Sequence, residues 1–577
     1  MNASHLLRCL GLLRPSGMSY ASGLMLMLSV PAMVQAADLD AGALQQQIDR
    51  NQNFKLPRQM APALPKPMAN KPSTGLKILV KHFKLQGNTL IEEAQLQALL
   101  QRYEGKELSF SDIEAVVAEV AEVFRQAGWT VQVYLPEQDV MDGVVTIQVV
   151  QARFGKVVIE GDIPRPATPE SLKAIIAAHQ ASGAFLSSKN IDRSLLIADD
   201  ISGVYVNGNL AEGTQESETD LVLKAAQRPW YDGNATADNT GSRGTGANRL
   251  VLNLNFNSIL GNGDQVSTNW IETKASRYSR VGWTVPVGED GWRVGMSSSH
   301  LAYSVLQFQT TVAPTGSSDT TGLEASYPLL RSRNQNLYLS LSMDEKRFLN
   351  FSEGQLASDY FNRVKSFSMY GNSFDDWGGG GSNTGSLTYS EGFLNLDGSP
   401  NAAEIASTTQ TAGAYRKIRY ALSRQQVLVS DWSFYGSVSG QRSMASKNLD
   451  SSEKFYLGGS SGVRAYPSSE AGGGNGVMGN FELRWQVDPR VMVTSFYDIG
   501  QVTLFPAKNL QDVTALNAYS LKGAGFSAAW QTADGATLKV IWARRIGVNP
   551  SANIETGKDL DGSLVRTRLW TSVNLPF

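Results

Sequence analysis

The C-terminal part of the chain, from Trp230 to Phe577, is built of runs in which apolar and polar side chains alternate. In one run, apolar residues alternate with more polar ones: Leu337, Leu339, Leu341 and Met343 against Tyr338, Ser340, Ser342 and Asp344. The runs are about ten residues long, and turn-forming Gly, Asn, Asp and Ser separate them. A period of two gives each run one apolar and one largely polar face. This predicts transmembrane barrel strands with lipid outside and water inside.

The number of candidate strands supports a closed barrel. Sixteen runs begin near these residues: Trp230, Asn248, Asp264, Tyr278, Gly291, Asp319, Gln335, Arg363, Asn383, Gly413, Leu428, Val477, Val491, Leu521, Gly535 and Arg566. An even number is what a single-chain bacterial barrel requires. A secreted β-sandwich or β-helix would also alternate and is the alternative fold. Ten of the eleven Trp lie from Trp230 onward, which favours the barrel because Trp is enriched at membrane interfaces.

The last run shows which face is which. Leu569, Thr571, Val573, Leu575 and Phe577 share one face, and Arg566, Arg568, Trp570, Ser572 and Asn574 share the other. An Arg facing lipid near the midplane would cost about 2–4 kcal/mol, so the Arg face is assigned to the lumen. The terminal Phe577 resembles the signal by which outer-membrane barrels are recognised by their assembly machinery. We therefore expect insertion into the outer-membrane bilayer with the help of that machinery.

The N-terminus has the features of a secretory signal peptide, assigned to residues 1–36. Arg8 and Arg14 precede an apolar core at residues 21–30, and small residues follow at the cleavage spacing. At about ten residues the core is too short to span a bilayer. The single cysteine, Cys9, would be removed. The mature chain is then expected to have no disulfide and no thiolate metal site.

Two segments precede the first folded domain. Residues 37–52 read as a short polar helix, with Asp38 or Asp40 as its N-cap. Its few apolar positions predict weak docking by burial alone. Residues 53–75 contain five prolines, Pro57, Pro62, Pro65, Pro67 and Pro72. Such a density predicts an extended, semi-rigid linker.

Residues 76–151 and 152–226 read as two related α+β domains. In the first, a strand is followed by two helices and two strands, and the same order recurs in the second. The spacing gives a weak internal repeat of about 75 residues. Each unit could bury a two-layer core of helices on a sheet. The barrel then occupies residues 227–577.

A long loop in the barrel carries the motif that suggests a family. The loop spans about 443–476 and contains Val463, Arg464, Ala465 and Tyr466, and a later strand carries Asp498 and Gly500. These residues resemble two hallmarks of the two-partner secretion transporters, the ShlB/FhaC/HecB family of the Omp85 superfamily. In that family a Val-Arg-Gly-Tyr loop tip folds into the lumen, and its Arg pairs with an Asp-x-Gly motif on the wall. Ala465 replaces the family's Gly, so the tip backbone cannot rely on glycine's freedom at positive φ.

The resemblance implies a fold and a function. The fold would be α+β periplasmic POTRA domains followed by a 16-stranded antiparallel transmembrane β-barrel, with residues 37–52 as a plug helix. The protein would bind an unfolded cognate exoprotein in the periplasm and pass it to the cell surface. The family's clients are large β-helical exoproteins, and an adhesin or haemolysin-like partner is expected. We expect a monomer that needs no cofactor.

Two other functions are possible for a barrel of this kind. A barrel-assembly factor is the first, although that branch usually carries more POTRA domains. An outer-membrane hydrolase is the second, and it would need His82, His179 or His300 as a base, of which the first two fall in the predicted periplasmic domains. Of these, His300 falls near the outer half of the fifth strand, where a structural role at the interface is expected, and no Gly-x-Ser-x-Gly motif is present. The net charge of -2 argues against a nucleic-acid partner.

Overall fold

The computed structural model describes residues 40–50, 56–57, 77–140, 142–306, 312–444, 447–507 and 516–577. The predicted signal peptide 1–36 and most of the Pro-rich segment 53–75 lie outside them. The first element is the helix α1 (Ala41–Arg50), which begins after Asp40. The Asp40 carboxylate accepts the N–H of Ala43 at 2.7 Å and therefore caps the helix, while Asp38, the other predicted candidate, lies outside the described residues. None of the described helices is long and apolar enough to cross a membrane.

The first α+β domain contains five strands and two helices: β1 (Lys77–Val80), β2 (His82–Gln86), α2 (Glu93–Leu100), β3 (Lys106–Ser109), α3 (Phe110–Ala127), β4 (Val131–Tyr134) and β5 (Val144–Gln151). Its sheet has the order β2-β5-β4, with β2 parallel to β5, and β1 pairs separately with β3. The predicted single opening strand was therefore wrong, since the run is interrupted at Lys81. Strand β3 was not predicted, because four residues between two helices are too few to show a period of two.

The second α+β domain contains three longer strands and two helices: β6 (Arg153–Ile159), α4 (Pro169–His179), α5 (Ser188–Asp199), β7 (Val204–Glu212) and β8 (Glu218–Gln227). The sheet order is β6-β8-β7, with β6 parallel and β7 antiparallel to β8. The helices begin where capping side chains allow it, as at Thr168, whose hydroxyl accepts the N–H of Ser171 at 3.1 Å. Leu172, Ile176 and Leu221 are fully buried between the helices and the sheet.

Sixteen strands close into one antiparallel barrel, which confirms the predicted architecture. The first eleven are β9 (Tyr231–Asp238), β10 (Arg249–Asn257), β11 (Gln265–Glu272), β12 (Ser276–Val287), β13 (Trp292–Ser304), β14 (Thr315–Arg331), β15 (Gln335–Ser352), β16 (Gln355–Asp375), β17 (Gly381–Asn395), β18 (Gly413–Val429) and β19 (Trp432–Ser443). The other five are β22 (Asn475–Asp488), β23 (Val491–Thr503), β24 (Ala518–Gln531), β25 (Thr537–Arg545) and β26 (Thr567–Pro576). Two short strands, β20 (Phe455–Tyr456) and β21 (Gly472–Gly473), lie in the loop between β19 and β22 and are not part of the barrel. A short helix, α6 (Ala402–Ser407), lies between β17 and β18. The last strand pairs with the first, with Ser572 opposite Asp238.

Alternate residues of each barrel strand face outward and inward. On β15, Leu341 and Met343 are each 58% exposed, whereas Lys346 and Phe348 are buried. On β26, Leu569 and Val573 are exposed and Trp570 is buried, so Arg568 lies on the inward face as expected. Phe577 closes the seam, since its backbone N–H and carbonyl each form a 3.0 Å hydrogen bond with Gly233.

The second α+β domain contacts one end of the barrel, which we call the proximal end. Arg331 forms two 2.9 Å hydrogen bonds to the Asp200 carboxylate, and Arg333 contacts Asp192 at 2.9 Å. A cavity of about 1470 Å³ opens here, lined by residues of the second domain, the proximal turns and the inward-facing wall. The opposite, distal end carries the loop between β19 and β22 and the loop between β25 and β26.

The inward and outward assignment can be tested with neighbouring residues. Leu341 faces outward in the middle of β15, and Ser342 lines the inward cavity. We expect Leu341→Arg to destabilise the barrel by about 2–4 kcal/mol, because the charge would face lipid. The matched variant Ser342→Arg should change stability far less. Urea unfolding in lipid vesicles, followed by Trp fluorescence, measures both; equal losses would show that the faces are assigned incorrectly.

Candidate functional site

The loop between β19 and β22 folds into the barrel lumen. Its strands β20 and β21 pair with each other and bring together the two ends of the segment that carries the tip. Leu457, Val463, Ala465 and Tyr466 have no solvent exposure. They pack with inward residues of β22 to β26 in a single apolar cluster. The loop tip is thus part of the barrel interior.

Arg464 at the tip contacts two carboxylates on the wall. Its Nε donates to Asp498 Oδ2 at 2.9 Å, and its Nη2 donates to Asp498 Oδ1 at 2.7 Å. The backbone N–H of Arg464 also donates to Asp498 Oδ2 at 3.0 Å. Its Nη1 donates to Glu482 at 2.7 Å. Because both ends of this pair are buried, the two-pronged geometry compensates charges that water cannot reach.

Further groups complete the surroundings of this ion pair. The Phe496 ring centroid lies 3.6 Å from the Arg464 guanidinium carbon, and the indole N–H of Trp570 donates to the Arg464 carbonyl at 2.7 Å. Asn480 donates to Asp498 at 2.8 Å. Burial alone would lower the pKa of the Arg464 guanidinium, but Asp498 and Glu482 hold it above its ordinary value. The guanidinium therefore remains charged.

The other motif residues shape the space around the tip. Ala465 does not adopt a positive φ, so the conformation needs no glycine at this position. Its methyl group fits because the facing residue is Gly523, where a Cβ would lie 2.8 Å from Ala465 Cβ. Gly500 acts similarly, since a Cβ there would lie 2.8 Å from Leu457 Cδ2. Arg545 stacks over the Tyr466 ring at 4.6 Å.

The helix α1 lies inside the lumen beside this loop. Its last residue, Arg50, donates to the backbone carbonyls of Tyr456 at 2.7 Å, Gly458 at 3.0 Å and Ser461 at 3.3 Å. At its other end the N–H of Ala41 donates to Asn350 on the wall at 3.0 Å. These polar contacts supplement the small apolar surface that the sequence predicted for this helix.

Lys346 on β15 joins the helix to the loop. Its Nζ lies 3.3 Å from Asp49 of α1 and 3.4 Å from Glu453 of the loop. Glu453 also pairs with Lys417 on β18 at 2.5 Å. Burial would raise the pKa of Glu453, but Lys417 and Lys346 outweigh it and lower the pKa to about 2. Helix, loop and two parts of the wall therefore share one charged network.

The structure adds functional candidates that the sequence analysis missed. Glu482 lies two residues from Asn480, which is directly opposite Asp498 in the β22–β23 register. Pairing the two strands would therefore have placed Glu482 on the inward face. Arg50, Lys346 and Glu453 carry no comparable signal, because their partners come from distant parts of the chain.

The structure places the histidine considered for catalysis away from this site. His300 lies on the outward face of β13, where its Nδ1 is 2.7 Å from Asp319 Oδ1. Within the described residues, no group of three or more His, Cys, Asp or Glu side chains is arranged to hold a metal ion.

Comparison with protein-family models gives two matches. Residues 217–523 match the haemolysin secretion/activation protein family ShlB/FhaC/HecB. Residues 78–152 match the ShlB-type POTRA domain. The first match covers β8, the last strand of the second α+β domain, and most of the barrel, and the second coincides with the first α+β domain.

Similar proteins cover 70–93% of the chain. The heme/hemopexin transporter protein HuxB of Haemophilus influenzae is 23% identical over 554 residues, which are 93% of this chain and 97% of that protein. The outer membrane transporter CdiB of Dickeya dadantii is 23% identical over 417 residues, 70% of this chain and 72% of that protein. The solved structure of CdiB from Escherichia coli matches with a TM-score of 0.68 at 20% identity, covering 93% of this chain and 98% of that one. This last likeness shows the shared fold.

Truncating the buried ion pair should release the loop tip. We expect Arg464→Ala to weaken tip docking by about 3–5 kcal/mol, because it leaves the buried Asp498 without a cation. Asp498→Ala should cost less, because Arg464 keeps Glu482 as a partner, and the double variant should cost little more than Arg464→Ala alone. Hydrogen exchange of amides 455–473 measures tip docking, with Arg442→Ala, an exposed outward residue, as the control. Additive effects would show that the two side chains are not coupled.

The docking of α1 should depend on pH through Asp40. Burial raises the pKa of Asp40 from 3.8 to about 6, and the nearby Asp450 adds to the rise, while Ala43, Ser451 and Lys454 oppose it. Docking of α1 is therefore favoured when Asp40 is protonated. This contribution to docking is fully present below about pH 3.8 and is lost as pH rises through about 6. We expect fewer pore openings in planar bilayers at about pH 5 than at about pH 7.5. Asp40→Asn should remove this difference; an unchanged pH dependence would assign it to another group.

Proposed function

The chain belongs to the haemolysin secretion/activation protein family ShlB/FhaC/HecB, and on that premise we propose that it threads an unfolded exoprotein through its lumen to the cell surface. As a member it is an outer-membrane transporter of the two-partner secretion type, with its POTRA domains in the periplasm. The proximal end of the barrel is therefore periplasmic and the distal end faces outward. The partner of such a transporter is its cognate secreted exoprotein.

The observation that carries the proposal is the filling of the lumen by two separable segments. The helix α1 and the loop tip occupy the interior through hydrogen bonds and ion pairs to polar side chains of the wall. Water and the backbone of an extended polypeptide can replace the hydrogen bonds that Arg50 of α1 makes to backbone carbonyls. The loop tip is held more firmly, by a buried ion pair and an apolar cluster, and its displacement needs a further source of energy. Displacing both segments would open a polar passage from the periplasmic cavity outward.

The edge of the second POTRA domain offers a place for client capture. Strand β7 is at an edge of its sheet, and its Tyr205 and Leu210 side chains are 51% and 45% exposed. Tyr205 also lines the periplasmic cavity. An extended client segment that added to this edge would pair through its backbone, with little demand on sequence. It would then lie at the entrance to the lumen.

The energy for export is proposed to come from the client. The sequence contains no Gly-x-x-x-x-Gly-Lys-[Ser/Thr] phosphate-binding loop. Folding of the exoprotein outside the cell would make passage irreversible, because a folded client cannot return through the lumen. We propose a large β-helical exoprotein of the adhesin or haemolysin class as the client. The relative HuxB is a heme/hemopexin transporter, so a haem-acquiring exoprotein is a second candidate class.

The test is secretion of a large exoprotein encoded beside this gene. We expect Arg464→Ala to insert normally, judged by heat-modifiable gel migration, and to reduce surface delivery at least about tenfold, since the loop tip would no longer be positioned. Arg442→Ala should secrete as the natural protein does. Normal secretion by Arg464→Ala would refute a role for the tip in transport.

The same strain tests client capture. A photo-reactive residue replacing Asn209, which is exposed on β7, should cross-link to the arrested client, whereas one replacing the exposed Lys173 of α4 should not. Equal labelling at both positions would contradict capture at the β7 edge.

If deleting the gene depletes other outer-membrane barrels and no client is affected, the protein is a barrel-assembly factor instead.

A further inference from the structure

The outward face of the last five barrel strands is almost free of charge. Outward residues alternate within 477–485, 493–501, 520–530, 538–544 and 569–575. Among them only Lys522 and Arg544 are charged, and both are cations. This wall is otherwise apolar or carries small polar groups, as expected of a surface in contact with lipid.

The two cations are neighbours on adjacent strands. Arg544 of β25 lies directly opposite Ala524 of β24, and the N–H of Ile546 donates to the Lys522 carbonyl at 3.0 Å. Lys522 and Arg544 are therefore diagonal neighbours on the same outward face. Both side chains are exposed, and within the described residues neither forms an ion pair or a side-chain hydrogen bond.

Apolar groups frame the pair on both sides. Toward the periplasm, Phe526 and Trp542 stack with their ring centroids 6.3 Å apart. Toward the cell exterior, Ile546 is 46% exposed. A cation held between such side chains cannot be treated as an ordinary solvated surface charge.

The pair lies near the outer edge of the apolar band expected for this barrel. Trp530 marks the periplasmic end of β24 and is eight positions from Lys522. Eight residues span about 27 Å of strand, or roughly 20 Å along the axis at a tilt of about 40°. An apolar band about 25 Å tall that begins near Trp530 would therefore end close to the two cations.

Elsewhere on the outward face, arginines have carboxylate partners within the protein. Four outward arginines on strands β12 to β18 are neutralised by carboxylates of the protein: Arg277 with Glu272 at 2.7 Å, Arg347 with Asp359 at 2.9 Å, Arg363 with Glu345 at 2.6 Å, and Arg416 with Glu391 at 2.9 Å. On β24 and β25 no carboxylate of the described outward face performs this role. Within the described residues this pair has no counter-charge, so one from outside the chain can be accommodated.

We propose that Lys522 and Arg544 bind the phosphate of a phosphorylated glycolipid in the outer leaflet. A guanidinium and an ammonium on one face can hold a phosphate through several charge-assisted hydrogen bonds. The Phe526 and Trp542 rings below would contact the acyl chains, and Ile546 above limits access of water. The site lies beside the strand that carries Asp498, on the outer surface of the wall against which the loop tip packs.

The test uses the full chain in phosphatidylcholine nanodiscs that contain bisphosphorylated lipid A. Native mass spectrometry of the released barrel counts bound lipid A. We expect the combined Lys522→Gln and Arg544→Gln variant to bind about tenfold less, the change expected from losing charge-assisted contacts to one phosphate. The control Arg416→Gln should bind as the natural protein does, and heat-modifiable migration checks that each variant is folded.

Two ligand controls separate a lipid phosphate from other sources. Dephosphorylated lipid A should not bind, and inorganic phosphate should not displace the lipid. Binding retained in the double variant, or lost equally in Arg416→Gln, would overturn the proposal. Equal binding of dephosphorylated lipid A would also overturn it. If lipid binding is unchanged but co-purifying proteins are lost, the cations contact an acidic protein and the proposal is wrong.

Discussion

The buried pair of Arg464 and Asp498 determines how the lumen is filled. A charge shielded from water needs an opposite charge with good geometry, and the Arg464 guanidinium finds one only if the loop tip reaches the wall at β23. Once it does, Tyr466 and Val463 enter the apolar cluster, and the carbonyls of the hairpin base point at Arg50. The position of the helix therefore depends on an ion pair that the helix does not touch.

The same requirement links the remaining charges. Glu453 is buried, and it is compensated by Lys417 and Lys346 from two different strands. Lys346 in turn contacts Asp49 of α1. Removing the helix leaves Lys346 with Glu453, so this part of the network keeps a compensated charge. Removing the loop would leave Lys346 and Lys417 without their shared carboxylate, which is the more costly change.

Much of the fold could be predicted because the barrel imposes a period of two and a lipid-facing surface on every strand. The last strand illustrates this, since Arg568 and Trp570 must face inward once Leu569 and Val573 face lipid. The loop-tip residues and Asp498 could be paired from a resemblance to known motifs. Glu453 and Lys346 could not, because nothing local shows that a loop carboxylate will enter the lumen beside a lysine about a hundred positions earlier in the chain. Strand β3 was missed for the opposite reason: its signal is local but only four residues long.

The helix and the loop tip are held by different kinds of contact. Arg50 donates to neutral backbone carbonyls, and hydrogen bonds of this kind exchange with water at little net cost. Arg464 donates to two carboxylates, one of them with no solvent exposure, and separating that pair strands a charge in a water-poor interior. A client that brings only backbone groups can replace the partners of Arg50 but not those of Arg464. The helix is thus the segment that an extended polypeptide can displace first, and the loop tip needs a further source of energy to move.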